Sequence, residues 1–338
     1  MSRDNNFNLM RILAALAVLC SHSYTIVTGD TQSEPLKQLL GVSLGAISVD
    51  MFFASSGFLV CASYFNRHSM VKFIRARVLR IFPALFVMLI LTVLSLGLFV
   101  SYSSFVTFAL DLQTWTYLSK NGFLLFGAEY SLIGVFENNP YPGVVNGSLW
   151  SLPQEVRAYL VMVIMCWWGS SFLSAKQIRR LFALSAIALL SGDILSVHFG
   201  LEIPHSHFVH VFGVFLLGST LYLYRFHSHR LLMSITNVGI LTFVIAAYGG
   251  FFTYVYGWLI PIVSLGLAYM PFKTLHAYNK LGDYSYGMYI YAFPIQQTLV
   301  FILPDISVVN MMIYAGLLSL LVAFLSWHFI EKPCLALK

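Results

Sequence analysis

Charge is what this sequence most lacks. Asp, Glu, Lys and Arg make up 9% of its 338 residues, against about 25% in a soluble globular chain. So little charge cannot cover a water-facing surface, which excludes a soluble two-domain enzyme. Disordered, collagen-like and coiled-coil chains are excluded on the same composition. Cysteine is scarce as well. Cys20, Cys61, Cys166 and Cys334 stand far apart with no Cys-x-x-Cys spacing, which removes thiolate metal centres and dithiol redox motifs. They read as inert thiols in apolar surroundings. The first apolar run has no small-residue cleavage site and holds Arg11 and His22, so no cleaved leader is expected. Nor is any internal repeat, low-complexity linker or soluble appendage.

What abounds is apolar length: 59% of residues are hydrophobic and the mean hydropathy is +0.79. About 20 apolar residues suffice to cross a bilayer. Such stretches fall near 9–27, 43–64, 81–100, 150–169, 181–199, 207–224, 231–249, 252–270, 285–303 and 308–329. The expectation is an all-α polytopic membrane protein of about ten transmembrane helices, folded as a single domain over 1–338. With that count, of 19 basic residues only Lys37, Lys120 and Arg157 miss one side of the membrane. Arg3, Arg67, Lys72, Arg75, Lys176, Arg179, Arg180, Arg225, Arg230, Lys273, Lys280, Lys332 and Lys338 are among those that share it. The positive-inside rule makes that side, with both termini, cytoplasmic. The net charge of +6 therefore reports topology, and no nucleic-acid partner is expected. Within the stretch 101–149 the apolar run 122–136 is too short for a further crossing and contains Glu129. The stretch reads as an extracytoplasmic loop that dips into the membrane where protein shields its backbone.

Three sets of residues carry chemistry. Arg11 and His22 lie eleven steps apart, about three helical turns, so they share one face of the first helix. Arg11 then sits near the cytoplasmic surface and His22 near mid-membrane, where an ionisable group usually meets a cavity or a partner. An imidazole there suits proton transfer; the plain alternative is a snorkelling arginine and a hydrogen-bonded core histidine. Arg77 and Arg80, in the cytoplasmic loop after the second helix, point together if that loop is helical. Paired guanidiniums suit a phosphate-bearing ligand, though any inward loop collects basic anchors. Finally, Asn146-Gly-Ser148-Leu-Trp150-Ser151-Leu-Pro153-Gln-Glu155 opens the fourth helix. Glu155 enters the membrane from the outer side and reads either as the group that orients His22 or as a structural partner of Arg157. His205, His207 and His210 have metal-like spacing, but no thiol or second carboxylate completes a set and no metal is expected; they read as polar lining of an outer cavity or as interfacial bystanders.

Arg11-x10-His22, Phe52-Phe53-Ala-Ser-Ser-Gly57-Phe-Leu, Arg77-x-x-Arg80-Ile-Phe-Pro83, Trp150-Ser-Leu-x-x-Glu155, Leu281-Gly-Asp-Tyr-Ser285-Tyr-Gly-Met-Tyr289 and Phe329-Ile-Glu-Lys-Pro333 together resemble the acyltransferase 3 family, in family order. The resemblance implies a membrane O-acyltransferase with His22 and Glu155 as catalytic groups and Arg11, Arg77 and Arg80 at acyl-CoA. It also implies acetyl-CoA as donor substrate, no resident cofactor, and a glycan or lipid-linked oligosaccharide acceptor of the O-antigen or exopolysaccharide kind. The implied location is a bacterial inner membrane. Asn146, Ser148, Trp150 and Ser151 are the acceptor-side candidates. The sequence departs from the pattern at Asn8, where many members carry Asp. A glycan transporter or flippase is the rival reading; the absence of paired broken helices in matching halves speaks against it.

Overall fold

The computed structural model describes residues 5–67, 69–101, 104–202, 205–226, 229–270, 278–279 and 281–338. Arg3, Lys273 and Lys280 of the basic set lie outside the described residues. Among the described residues the chain is mostly helical, with no strand. Its long helices are α1 (Phe7–Thr28), α3 (Leu44–Arg67), α4 (Met70–Phe99), α7 (Ser151–Phe172), α8 (Ala175–Phe199), α9 (Ser206–Leu223), α10 (His229–Gly249), α11 (Phe252–Ala268), α12 (Ser285–Ile302) and α13 (Val308–Ser326). Shorter helices are α2 (Lys37–Leu40), α5 (Phe105–Leu110), α6 (Leu112–Phe123) and α14 (Lys332–Ala336), the last joined to α13 by a π-helical turn at Trp327–Glu331. Local signals set several starts: Ser174 and Gln177 form a capping box on α8, and Ser69 and Ser307 cap α4 and α13, as short hydroxyl side chains do.

The bundle is apolar outside and polar within. Leu91, Leu94 and Leu98 of α4, Leu184 and Leu195 of α8, and Leu317 and Leu321 of α13 are exposed. Asp50, Asn146, Gln296, Gln297 and Glu331 are buried. That distribution suits a lipid solvent and would aggregate in water. A helix covers each of the ten apolar stretches. Among the described residues, seven are long and apolar enough to cross a membrane: α1, α3, α4, α8, α9, α10 and the run through α13 to Ala336. Of the remaining three, α7 holds Glu155 and Arg157, α12 holds Gln296 and Gln297, and α11 has 17 residues.

Packing places α3 at the centre, between α1 on one side and α9 and α11 on the other, while α1 also lies along α12. Close approach of α3 and α9 depends on two glycines. A Cβ added to Gly57 would collide with the Phe215 carbonyl, and one added to Gly218 with the Ala54 carbonyl. Asn6 bonds Ala268 and Met270 beyond α11, and Arg80 reaches Glu331. Both chain ends therefore share one end of the bundle, called here the terminal end, as opposed to the loop end.

The stretch 101–149 carries the short helices α5 and α6, and the part after them is anchored in the bundle. Gln297 donates from Nε2 to the carbonyls of Tyr141 (2.8 Å) and Val144 (2.7 Å) and accepts from Asn139 at 2.8 Å. Leu132, Val135, Phe136 and Val145 are buried. This loop sinks into the bundle, so α7 begins deep. Ser151 Oγ lies 2.6 Å from the hydroxyl of Tyr289, which is only about one turn into α12 from the terminal end.

Candidate active site

The expected cytoplasmic loop bearing Arg77 and Arg80 is instead the first part of α4. This 30-residue helix spans about 45 Å, longer than a hydrocarbon core of about 30 Å. Ser69 starts it eleven residues before the apolar run, because Phe73 and Ala76 supply a buried stripe at helical spacing. Lys72 and Arg75 face outward while Arg77 and Arg80 turn in.

The inward guanidiniums do not have the same partners. Arg80 Nη2 lies 2.5 Å from Asp283 Oδ2 and its Nη1 3.7 Å from Glu331 Oε2. Arg11 Nη1 lies 3.2 Å from the same Asp283 oxygen. Burial alone would lift the Asp283 pKa, but the charges of Arg11 and Arg80, with hydrogen bonds from Ser285, hold it well below the usual carboxylate range. Arg77 makes no ion pair among the described residues. It lies over the rings of Phe73 and Tyr159, 5.9 Å from each centroid, and its buried Nε has no hydrogen-bond partner. Arg77 thus differs from Arg11 and Arg80, which share the Asp283 carboxylate, in having Tyr159 and the charge of Glu155 as its polar surroundings. Asp283 and Glu331 were not singled out from sequence. The signal existed: each is the acidic residue inside a motif that follows the basic pair.

Glu155 and His22 are not together. The Glu155 carboxylate accepts from Ser56 Oγ at 2.8 Å and from the Tyr159 hydroxyl. Ser56 is about midway along α3, so the deep start of α7 carries Glu155 past its expected level and into the arginine chamber. Arg157 bonds Gln154 and the Leu125 carbonyl instead of Glu155. His22 sits six residues from the loop end of α1, about 9 Å, nearer the loop end than mid-membrane. Its ring meets Phe293 edge-on at 5.1 Å and its buried Nδ1 has no partner. The carboxylate whose charge reaches it is Glu34, which Ser21 Oγ holds by a hydrogen bond. Glu155 bonds side chains of α3 and α7, and among the described residues no hydrogen bond joins it to His22.

Arg11 and His22 do share a face, turned to α12. Between them runs an aromatic series: Arg11 over Phe52 at 5.8 Å, Phe52 against Tyr289 at 5.7 Å, and Phe293 one turn beyond Tyr289. Of the acceptor-side candidates, Asn146 and Ser148 are buried, and among the described residues the Ser148 hydroxyl has no partner. Asn146 is fully buried and donates to the Ile290 carbonyl at 2.9 Å, and the Ser148 carbonyl accepts from Tyr289. Trp150 and Ser151 face cavities.

Three cavities adjoin across the bundle. One of about 40 Å³ holds Arg77, Arg80, Arg11, Glu155 and Tyr286. A second, also about 40 Å³, shares Arg11, Glu155 and Tyr286 and adds Ser151, Phe52 and Val49. The third, about 810 Å³, shares Val49 and is lined by Trp150, Asp50 and His210. His22 is on the wall of none of these three. Such a charged interior inside a lipid-facing bundle marks a membrane protein with polar cavities at depth.

The chain belongs to the acyltransferase 3 family, whose acyltransferase domain matches residues 4–330. It is 28% identical over 346 residues to an O-acetyl transferase of Shigella phage Sf6, covering 98% of this chain and 96% of that one. It is also 28% identical over 366 residues to nodulation protein 10 of Rhizobium leguminosarum bv. viciae, covering 99% and 94%. No solved structure matches it.

Proposed function

We propose that this acyltransferase is a bacterial inner-membrane O-acetyltransferase. It crosses the membrane ten times with both termini in the cytoplasm, and takes acetyl from cytosolic acetyl-CoA to a hydroxyl of an extracytoplasmic glycan of the O-antigen or exopolysaccharide kind. The observation that carries this reading is the string of adjoining cavities, from a guanidinium chamber at the terminal end to a large cavity at the loop end. A donor bearing phosphates suits the first and a hydroxylated acceptor the last.

In this reading the acetyl-CoA phosphates meet Arg77, the guanidinium without an ionic partner, with Arg11 and Arg80 behind it as a positive field shared with Asp283. Glu155 keeps the Tyr159 hydroxyl and the Arg77 side chain in place. The pantetheine arm follows the face of α1 past Phe52 and Tyr289. His22 removes the proton of the acceptor hydroxyl as its oxygen attacks the thioester carbonyl, and CoA leaves as the thiolate. Glu34 steadies the resulting imidazolium. The phage relative's name supports the acetyl and oxygen parts of this reading.

The test is to incubate membranes containing the protein with acetyl-labelled CoA and de-O-acylated surface polysaccharide. Label on the polysaccharide is expected. Polysaccharide crossing the membrane without label would point to a flippase and defeat the proposal.

A further inference from the structure

The largest of these three cavities contains a charged triad that the transfer chemistry above does not use. His210 of α9 stands between Asp50 of α3 and Asp193 of α8. Its Nε2 lies 2.9 Å from Asp50 Oδ2 and its Nδ1 2.7 Å from Asp193 Oδ2. Tyr256 of α11 stacks beneath the ring at 5.1 Å. Both ring nitrogens face carboxylates, and both can donate only when the ring is an imidazolium. Holding three charged groups inside a lipid-facing bundle costs several kcal/mol per ion before pairing offsets it. Packing alone would be served as well by apolar side chains.

The geometry leaves acceptors pointing to a ligand. Each carboxylate uses only Oδ2; among the described residues neither Oδ1 has a protein partner. Both aspartates and His210 line the cavity of about 810 Å³, with Trp150 and His207 on the same wall. The Trp150 and His207 rings lie 5.8 Å apart and offer an apolar face. The charge count matters too. Lys37 and Glu202, also on that wall, cancel, and the imidazolium offsets one of the two aspartates. One net negative charge remains, which disfavours an anion.

We propose that this cavity is a sugar-binding subsite in which Asp50 and Asp193 accept hydrogen bonds from hydroxyls of a neutral acceptor residue while Trp150 packs against the ring's C–H face. The inference rests on the glycan reading above and sharpens it. Val49 joins this cavity to the middle one, so a sugar held here presents a neighbouring unit toward the transfer path.

The experiment uses purified full-length protein, acetyl-labelled CoA and de-O-acylated surface polysaccharide, with initial rates measured against polysaccharide concentration. Asp193→Asn and Trp150→Ala should each raise the polysaccharide KM tenfold or more and leave the acetyl-CoA KM within twofold. Asp50→Asn should do the same; if it fails to fold, the other two variants decide. Wild-type polysaccharide KM in both Asp193→Asn and Trp150→Ala would overturn the subsite while leaving the acyltransferase reading standing. No label transfer by the wild type would instead defeat the glycan reading itself. Transfer abolished by EDTA and restored by a divalent cation in the wild type, and lost in Asp193→Asn, would mark a cation site and also overturn the sugar assignment.

Discussion

His22→Ala should lower acetyl transfer by about 10²–10⁴-fold, the usual contribution of a positioned general base, with the protein still inserted at its normal level. The side chain touches Phe293 and leaves Nδ1 without a partner, so its loss removes no hydrogen bond on which the helices depend. Only the apolar contact changes, and truncation at a half-buried position costs little fold stability. Membrane quantification beside the label assay separates the two effects. The carboxylate partner is tested in the same experiment. If Glu34 supports the imidazolium, Glu34→Gln should move the pH–rate profile, because the charge next to the titrating ring has gone. Glu155→Gln should leave the profile in place and raise the acetyl-CoA KM, because Glu155 belongs to the Arg77 and Tyr159 chamber. The opposite pattern would return the orienting role to Glu155.

Asp283→Ala should be the most damaging change to the fold. It strips both Arg11 and Arg80 of the carboxylate they share, and Glu331, 3.7 Å from Arg80, can compensate for only one of them. Removing one side of a buried ion pair costs about 3–5 kcal/mol, since an uncompensated charge stays behind. That is a large part of the about 5–15 kcal/mol that stabilises a typical domain. Low protein level and a depressed unfolding temperature are expected, measurable by fluorescence-detected size exclusion in detergent. The pH sense follows from the same pair. A carboxylate whose folded pKa lies below its unfolded value contributes fully above that unfolded value, about 3.9, and loses the contribution as pH falls through the acid range. Between pH 5 and 8 the contribution should be constant. An Asp283→Ala protein with wild-type unfolding temperature would show that the three-way pair carries no load.

Much of this architecture was readable in the residues. The apolar stretches became helices because length and hydrophobicity fix a lipid-spanning helix with few competing solutions. The shared face of Arg11 and His22 followed from helical rotation, and the common direction of Arg77 and Arg80 from their spacing. Depth was less legible. Glu155 was placed by counting from an assumed membrane surface at Trp150. The 130–150 loop, held by Asn139 and Gln297, sinks into the bundle and carries the start of α7 with it. That is a long-range contact no local pattern announces. The pairing of Arg11 and Arg80 with Asp283, more than two hundred residues from Arg80, was hidden for the same reason. So was the Asp50, His210 and Asp193 triad, whose members come from three helices. The spacing of His210 suggests a metal ligand or the lining of an outer cavity, and it lines one, but its carboxylates arrive from α3 and α8.

Sidedness decides the central claim. Proteoliposomes with the chain in one orientation, acetyl-labelled CoA on the side of the terminal end and de-O-acylated polysaccharide on the other, should yield labelled polysaccharide while CoA stays where it was supplied. Transfer that occurs only when donor and polysaccharide share a compartment would contradict the account.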